Sequence, residues 1–376
     1  MQLSSWFCRQ RARHGRALGA IAALVLGYLL TELSLRFAFG DRLRSGTQPA
    51  IYVSDDTYGY RYLPDATSTL CIPGICRPVR VNAAGLLGPH AAKERTPDTY
   101  RIAFVGSCEA TGIWMDSGRA HPEHLERLLR QDGFDVEVYN FSTDGLFLDY
   151  ERALLARDVV PEFAPDLVVL ETNFLPFVQT NQRREMYRGY VLGWGADIPG
   201  AHEDARQQVD FIESHTWFIG WYERSYVPRA LLRWSANHLT DWRRPYLRAF
   251  GQKRWSGQAR PTPLSTKASL ALLLETQAQL ARQGAALVQF GSLIHPTAIA
   301  KGLRYVDIRF PDDPKFKNRF DGHMNERGQL VVAEQLHAAL RPYLVAHEAV
   351  NEAEHGRPAP TPRADDRQLA EHGSDR

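Results

Sequence analysis

The hydrophobic pattern begins with a continuous apolar run, Ala17 to Leu30, preceded by Arg9, Arg11, Arg13 and Arg16. The run falls short of the roughly 20 residues that cross a bilayer core. It lengthens to Phe39 if Glu32 and Arg36 lie at the far interface and snorkel. The basic flank then predicts residues 1–16 in the cytoplasm, a transmembrane signal anchor over 17–39 and the remaining chain outside. A cleaved signal peptide is the alternative, with Ala38 and Gly40 as small residues for cleavage. Both readings export the body, and the expected placement is a bacterial inner membrane with the main domain in the periplasm.

Beyond the run the pattern changes twice. Residues 40–98 mix turn formers with short β-like runs such as Pro78-Val-Arg-Val-Asn82 and read as a membrane-proximal extended segment. From 99 to 345 apolar strands alternate with amphipathic stretches. Strands are predicted at Tyr100–Val105, Val136–Asn140, Leu167–Leu170 and Ala285–Phe290. Helices are predicted over His121–Gln131, near 147–158, over Ser265–Arg282 and over Gly328–Leu344. That alternation implies a parallel sheet covered on both sides. Residues 176–262 interrupt it with Trp194, Trp217, Trp221, Trp234, Trp242 and Trp255 among many arginines. This insertion reads either as a cap or membrane-facing surface, or as a helical unit whose aromatics form their own small core. Residues 346–376 are polar and rich in proline and charge, the composition of a disordered tail.

Composition narrows the classes. A hydrophobic share of 44% supports a sizeable core, and a net charge of +2 argues against a nucleic-acid partner. Four cysteines, Cys8, Cys71, Cys76 and Cys108, show no zinc-ligand spacing, and no metal or cofactor is expected. Cys71-Ile-Pro-Gly-Ile-Cys76 closes a small loop around a Pro-Gly turn, which in an oxidising compartment reads as a disulfide rather than two surface thiols. Cys108 is then left as an unpaired thiol in an exported body.

Candidate chemistry lies where strands end, because crevices of open α/β sheets form beyond the carboxyl ends of the strands. The first strand runs into Gly106-Ser107-Cys108-Glu109-Ala110-Thr111-Gly112, the second into Asn140-Phe-Ser-Thr-Asp-Gly145, and the third into Glu171-Thr172-Asn173. Asp321-Gly-His323-Met-Asn325 stands before the last helix. In this order and spacing the chain resembles the SGNH (GDSL-like) hydrolases. That family has Gly-Asp-Ser-x-x-x-Gly after its first strand, a glycine after the second, an asparagine after the third and Asp-x-His or Asp-x-x-His before the last helix. Tyr58-Gly-Tyr60, Val81-Asn82-Ala-Ala-Gly85 and Glu32-Leu-Ser-Leu-Arg36 resemble the lead-in of membrane-anchored bacterial members.

The resemblance implies a flavodoxin-like three-layer α/β/α sandwich after one N-terminal transmembrane helix. It places Cys108 at the nucleophile position, His323 as general base and Asp321 as its orienting partner. Backbone N–H groups of Cys108 and Gly145 with the Asn173 amide would form the oxyanion hole. Ser107 stands where the family has aspartate and Cys108 where it has serine, so two of its most characteristic positions differ. Phe174, where many members have aspartate, differs as well. The expected activity is ester hydrolysis or acyl transfer, on O-acyl groups of an envelope or exported polysaccharide. The competing expectation is a catalytically inactive SGNH-like binding or scaffold protein in an envelope polysaccharide assembly system.

Overall fold

The computed structural model describes residues 2–39, 51–72, 75–143 except 114, 116 and 117, 148–172, 182–195, 199–231 except 216, 218, 219, 222 and 223, 266–291, 299–318 and 322–355. A single helix, α1 (Gln2–Phe39), opens the chain. It extends through the basic flank because no proline lies between Gln2 and Ala17 and Gly15 is tolerated within the helix. Its stretch Arg16–Ala38 is long and apolar enough to cross a membrane.

Two antiparallel hairpins follow where an extended lead-in was expected. They are β1 (Tyr52–Asp55) with β2 (Gly59–Tyr62), and β3 (Thr67–Ile72) with β4 (Ile75–Arg80). Ile51, Tyr62, Leu70, Val79 and Val81 give them a small core that also takes in Ile113. The register of β3 and β4 sets Cys71 directly opposite Cys76. Their side chains, and with them the expected disulfide, lie outside the described residues.

The lead-in motifs have structural work of their own. Asn82 accepts from the N–H groups of Ala84 and Leu86 and donates to the carbonyls of Gly88 and His90, so one side chain holds the whole turn. Gly85 inside that turn has φ +76°.

Among the described residues the main body is a five-stranded parallel sheet. Its strands are β5 (Tyr100–Val105), β6 (Val136–Asn140), β7 (Leu167–Glu171), then, after the insertion, β10 (Ala286–Phe290) and β11 (Tyr305–Val306). Their spatial order, β6-β5-β7-β10-β11, is the doubly wound 2-1-3-4-5 arrangement of the flavodoxin-like sandwich that the resemblance implies, with β11 a strand the sequence pattern did not predict. Successive strand residues face opposite layers. Ala103, Val105, Val168 and Leu170 pack one face against α4 (Leu148–Leu154), its π-turn continuation, α5 (Val160–Phe163) and α7 (Thr266–Arg282). Ile102, Phe104, Leu167 and Val169 pack the other against α3 (His121–Gln131) and α8 (Glu326–His355). One-turn α2 (Cys108–Thr111) follows β5.

Two boundaries depart from expectation. Helix α8 runs ten residues into the stretch read as a tail, because 346–355 is rich in alanine and glutamate and meets no breaker before Gly356. His347 in that extension packs edge-on against Tyr100, with ring centroids 4.6 Å apart. The insertion is not wholly helical. It opens with a hairpin, β8 (Gln182–Tyr187) and β9 (Tyr190–Gly195), before α6 (Ala201–Ser214). The hairpin lies on β2 so closely that a Cβ on Gly59 would meet the Arg184 carbonyl at 2.2 Å.

Candidate active site

The turn after β5 is built by close approach. A Cβ on Gly106 would come within 2.8 Å of Glu171 Oε2 at the end of β7. Gly112 closes α2 in the left-handed region, φ +62°, where a Cβ would meet Ala120 Cβ at 2.4 Å. Both ends of the Gly106–Gly112 interval are therefore fixed by sterics. Between them Ser107 is buried, and the N–H groups of Ala110 and Thr111 both donate to its carbonyl. Cys108 begins the helical turn half-buried, and it is a free thiol. In the first turn of a helix its N–H has no intrahelical acceptor, which is the property an oxyanion donor requires.

The segment bearing His323 is tied directly to this turn. Met324 N–H donates to Glu109 Oε2 (3.1 Å), and the Gln329 side-chain amide donates to the Glu109 carbonyl (2.9 Å). The neighbours of Cys108 and His323 are thus bonded to one another across 215 residues of sequence. The His323 carbonyl accepts from Asn318 N–H, and a bridge between Lys317 and Met324 closes the small loop that carries the histidine. Asn325 supports the other side, its carboxamide oxygen accepting from the N–H groups of Arg327 and Gly328 at the start of α8.

The strand exits converge on the same place. Thr143 N–H donates to the Gly106 carbonyl (3.2 Å), which brings the chain two residues before Gly145 against the turn that precedes Cys108. Asn140, at the end of β6, donates to the carbonyl of Ala110 in α2 (2.9 Å) and to Glu123 Oε1 (3.2 Å). Thr172, immediately before Asn173, is fixed to the Phe290 carbonyl through both its N–H and its hydroxyl. Gly145, Asn173 and Asp321 themselves lie outside the described residues. Cys108 and His323 are on segments the structure joins.

A buried polar layer behind the turn was not legible in the sequence. Gln329 Oε1 accepts from the His121 N–H (2.9 Å) and from its ring Nδ1 (2.6 Å), while the Gln329 amide serves Glu109. A carbonyl oxygen only accepts, so Nδ1 carries the proton and both ends of the amide are assigned. Gln329 thereby supplies the cap that Ala120 at the N-cap position of α3 cannot. Burial, the largest influence, pushes His121 down to about 4, so its ring is neutral at pH 7. Burial likewise pushes the Glu123 carboxyl up. The only sequence signal for this layer was polar residues at core-facing helix positions. Beside the β6 exit opens a cavity of about 300 Å³ lined by Tyr58, Tyr60, Arg61, Phe141, Ser142 and Arg157, among others. Among the described residues no cluster of three or more acidic, histidine or cysteine side chains is placed to hold a metal ion.

No family model matches the chain, and no curated protein matches it in sequence. Solved structures do resemble it. TesA is 14% identical, over 64% of this chain and 98% of its own, with a TM-score of 0.36. The psychrotrophic esterase EstA from Pseudoalteromonas sp. is 8% identical over 65% and 98%, with a TM-score of 0.36. A single-residue variant of Axe2, an acetyl xylan esterase from Geobacillus stearothermophilus, is 10% identical over 66% and 96%, with a TM-score of 0.34.

Proposed function

We propose that the chain is a membrane-anchored, periplasm-facing ester hydrolase or acyltransferase of the SGNH type, using Cys108, His323 and Asp321. The observation that carries the reading is the Glu109–Met324 hydrogen bond, which seats the histidine loop on the turn that presents the thiol. In the proposed first step Cys108 Sγ attacks the ester carbonyl carbon, and His323 takes the thiol proton. The tetrahedral oxyanion is met by the N–H groups of Cys108 and Gly145 and by the Asn173 amide. The C–O bond then breaks, His323 returns the proton to the leaving alkoxide, and a thioester remains on Cys108. Water or an acceptor hydroxyl attacks that thioester, loses its proton to His323, and releases the acid or the transferred ester as the thiol is restored.

The proposed placement and the adjoining cavity support a substrate class. Tyrosine rings and guanidinium groups beside the β6 exit suit a polyhydroxylated partner, consistent with O-acyl groups on an envelope or exported polysaccharide. The test is mass spectrometry of the exported body, wild type and His323→Ala, after brief exposure to p-nitrophenyl acetate. An acyl adduct on Cys108, formed rapidly in wild type and slowly in His323→Ala, is expected. A wild-type Cys108 without adduct would overturn the enzyme reading in favour of an inactive binding protein with the same fold.

A further inference from the structure

We infer that the described residues between Trp217 and Leu231 form a lipid-contacting surface pinned to α1, which holds the hydrolase body against the bilayer; this rests on reading α1 as a membrane anchor. Along Arg16–Ala38 nearly every residue is exposed, as a helix surrounded by lipid would be. Three positions are not, Tyr28, Glu32 and Leu35, spaced four and three apart on one stripe. The 217–231 segment accounts for the polar pair. Glu32 accepts from the Ser225 hydroxyl (2.7 Å) and from the N–H groups of Tyr226 (2.8 Å) and Val227 (3.1 Å). One turn deeper, the Tyr28 hydroxyl meets Ser225 Oγ (2.5 Å) and accepts from the Trp221 indole N–H (2.7 Å). One turn the other way, Arg36 donates to the Arg224 carbonyl (2.6 Å), and its guanidinium lies 5.0 Å from the centre of the Tyr226 ring.

These bonds fix a depth. With a rise of about 1.5 Å per residue, Tyr28 stands about 12 Å along α1 from Arg36, so Trp221 reaches below the level where Arg36 leaves the apolar layer. The helical segment breaks at Ser225, and its freed backbone N–H groups point at Glu32. Each group satisfies the other where water is scarce, the condition for a carboxylate and a broken helix to persist at such a depth. The outward face has the chemistry of the bilayer boundary. Trp217, Trp221 and Arg224 are spaced four and three apart and all exposed, and beyond the break at Ser225 Leu231 is exposed as well. Arg224 lies level with Arg36 at the boundary, and the Trp221 indole, level with Tyr28, enters the acyl layer below it. The occupant is therefore the lipid already around α1, and the surface continues that contact.

The test uses the full chain in phosphatidylethanolamine/phosphatidylglycerol nanodiscs, with Cys8 and Cys108 replaced by serine. Nitroxides are placed singly through Leu26→Cys, Trp217→Cys and Leu231→Cys, and relaxation by oxygen is compared with relaxation by a water-soluble nickel chelate. Labels at 217 and 231 are expected to share the oxygen-rich, nickel-poor signature of the label at 26. A lipid signature at 26 with nickel-accessible labels at 217 and 231 would overturn this inference while leaving the anchor intact. A nickel-accessible label at 26 would overturn both. Adding Glu32→Ala, or the milder Tyr28→Phe, is expected to raise nickel accessibility at 217 severalfold and leave 26 unchanged. No change at 217 in either variant would exclude the pinning role.

Discussion

The ring of His121 stands with Nε2 3.7 Å from Glu171 Oε2, and both side chains are fully enclosed. Glu171 ends β7 beneath Gly106, and His121 begins α3, so the pair lies between the sheet and the floor of the candidate site. Its geometry has a consequence for acid stability. His121 is held neutral, with its pKa down at about 4 against 6.5 in a solvated chain. Between those values the unfolded chain binds a proton that the native protein excludes, so stability falls as pH drops from 6.5 toward 4. The difference is worth about 3 kcal/mol at about 1.4 kcal/mol per unit. His121→Phe should be less stable at pH 7 and should lose less than wild type between pH 7 and 4. Urea unfolding across that range measures both slopes, and equal slopes would refute the assignment.

Gln329 ties three elements together, and its removal tests whether that layer positions the thiol. Gln329→Leu leaves the His121 N–H and the Glu109 carbonyl without their buried partner. Each such loss costs about 1–3 kcal/mol, so a destabilisation of about 3 kcal/mol is expected in chemical denaturation. The rate of alkylation of Cys108 by iodoacetamide at pH 7 should change as well, since α2 loses its hold on α8. Unaltered stability would mean that water replaces the amide without cost.

Much of this architecture could be read from local pattern. Leu125, Leu128 and Leu129 announce α3, and the apolar runs at 100–105, 136–140 and 167–170 announce the sheet, because burial on one or both faces leaves a periodic signature. The strand-end motifs could be read because glycine and asparagine interrupt those runs. Gln329 could not, since its partners lie 208 and 220 residues away and its own position in α8 looks like any polar helix residue. The partner of Glu32 was hidden for the same reason, 193 residues along the chain. The hairpins of 51–80 were missed because strands of four to six residues alternate too briefly to separate from loop.

The two glycines that bracket Cys108 invite a comparison with a third. Gly112 and Gly133 both have positive φ, +62° and +100°, but only Gly112 faces a neighbour, Ala120. Gly133→Ala should incur backbone strain alone, about 1 kcal/mol. Gly112→Ala adds overlap with the residue that precedes α3 and should cost more than twice as much, with a visible loss of acyl-adduct formation. Thermal unfolding of the two variants side by side decides the point, and equal shifts would show that the α2–α3 approach yields easily.

Glu109 offers the sharpest separation of positioning from folding. Its carboxylate accepts from Met324 N–H, one residue from His323, while its backbone carbonyl is held by Gln329. Glu109→Ala keeps the second bond and removes the first, so the loss of stability should be modest, about 1 kcal/mol. The histidine loop, freed from the turn, should then sample positions away from the thiol, and a displacement of about 1 Å from reacting geometry can lower a rate a hundredfold. kcat/KM for an activated ester is therefore expected to fall at least tenfold. Glu109→Gln retains an oxygen that can accept the Met324 N–H and should restore most of that activity, although it removes the charge. If the glutamine variant is as impaired as the alanine variant, the carboxylate acts through its charge rather than through the bond to Met324.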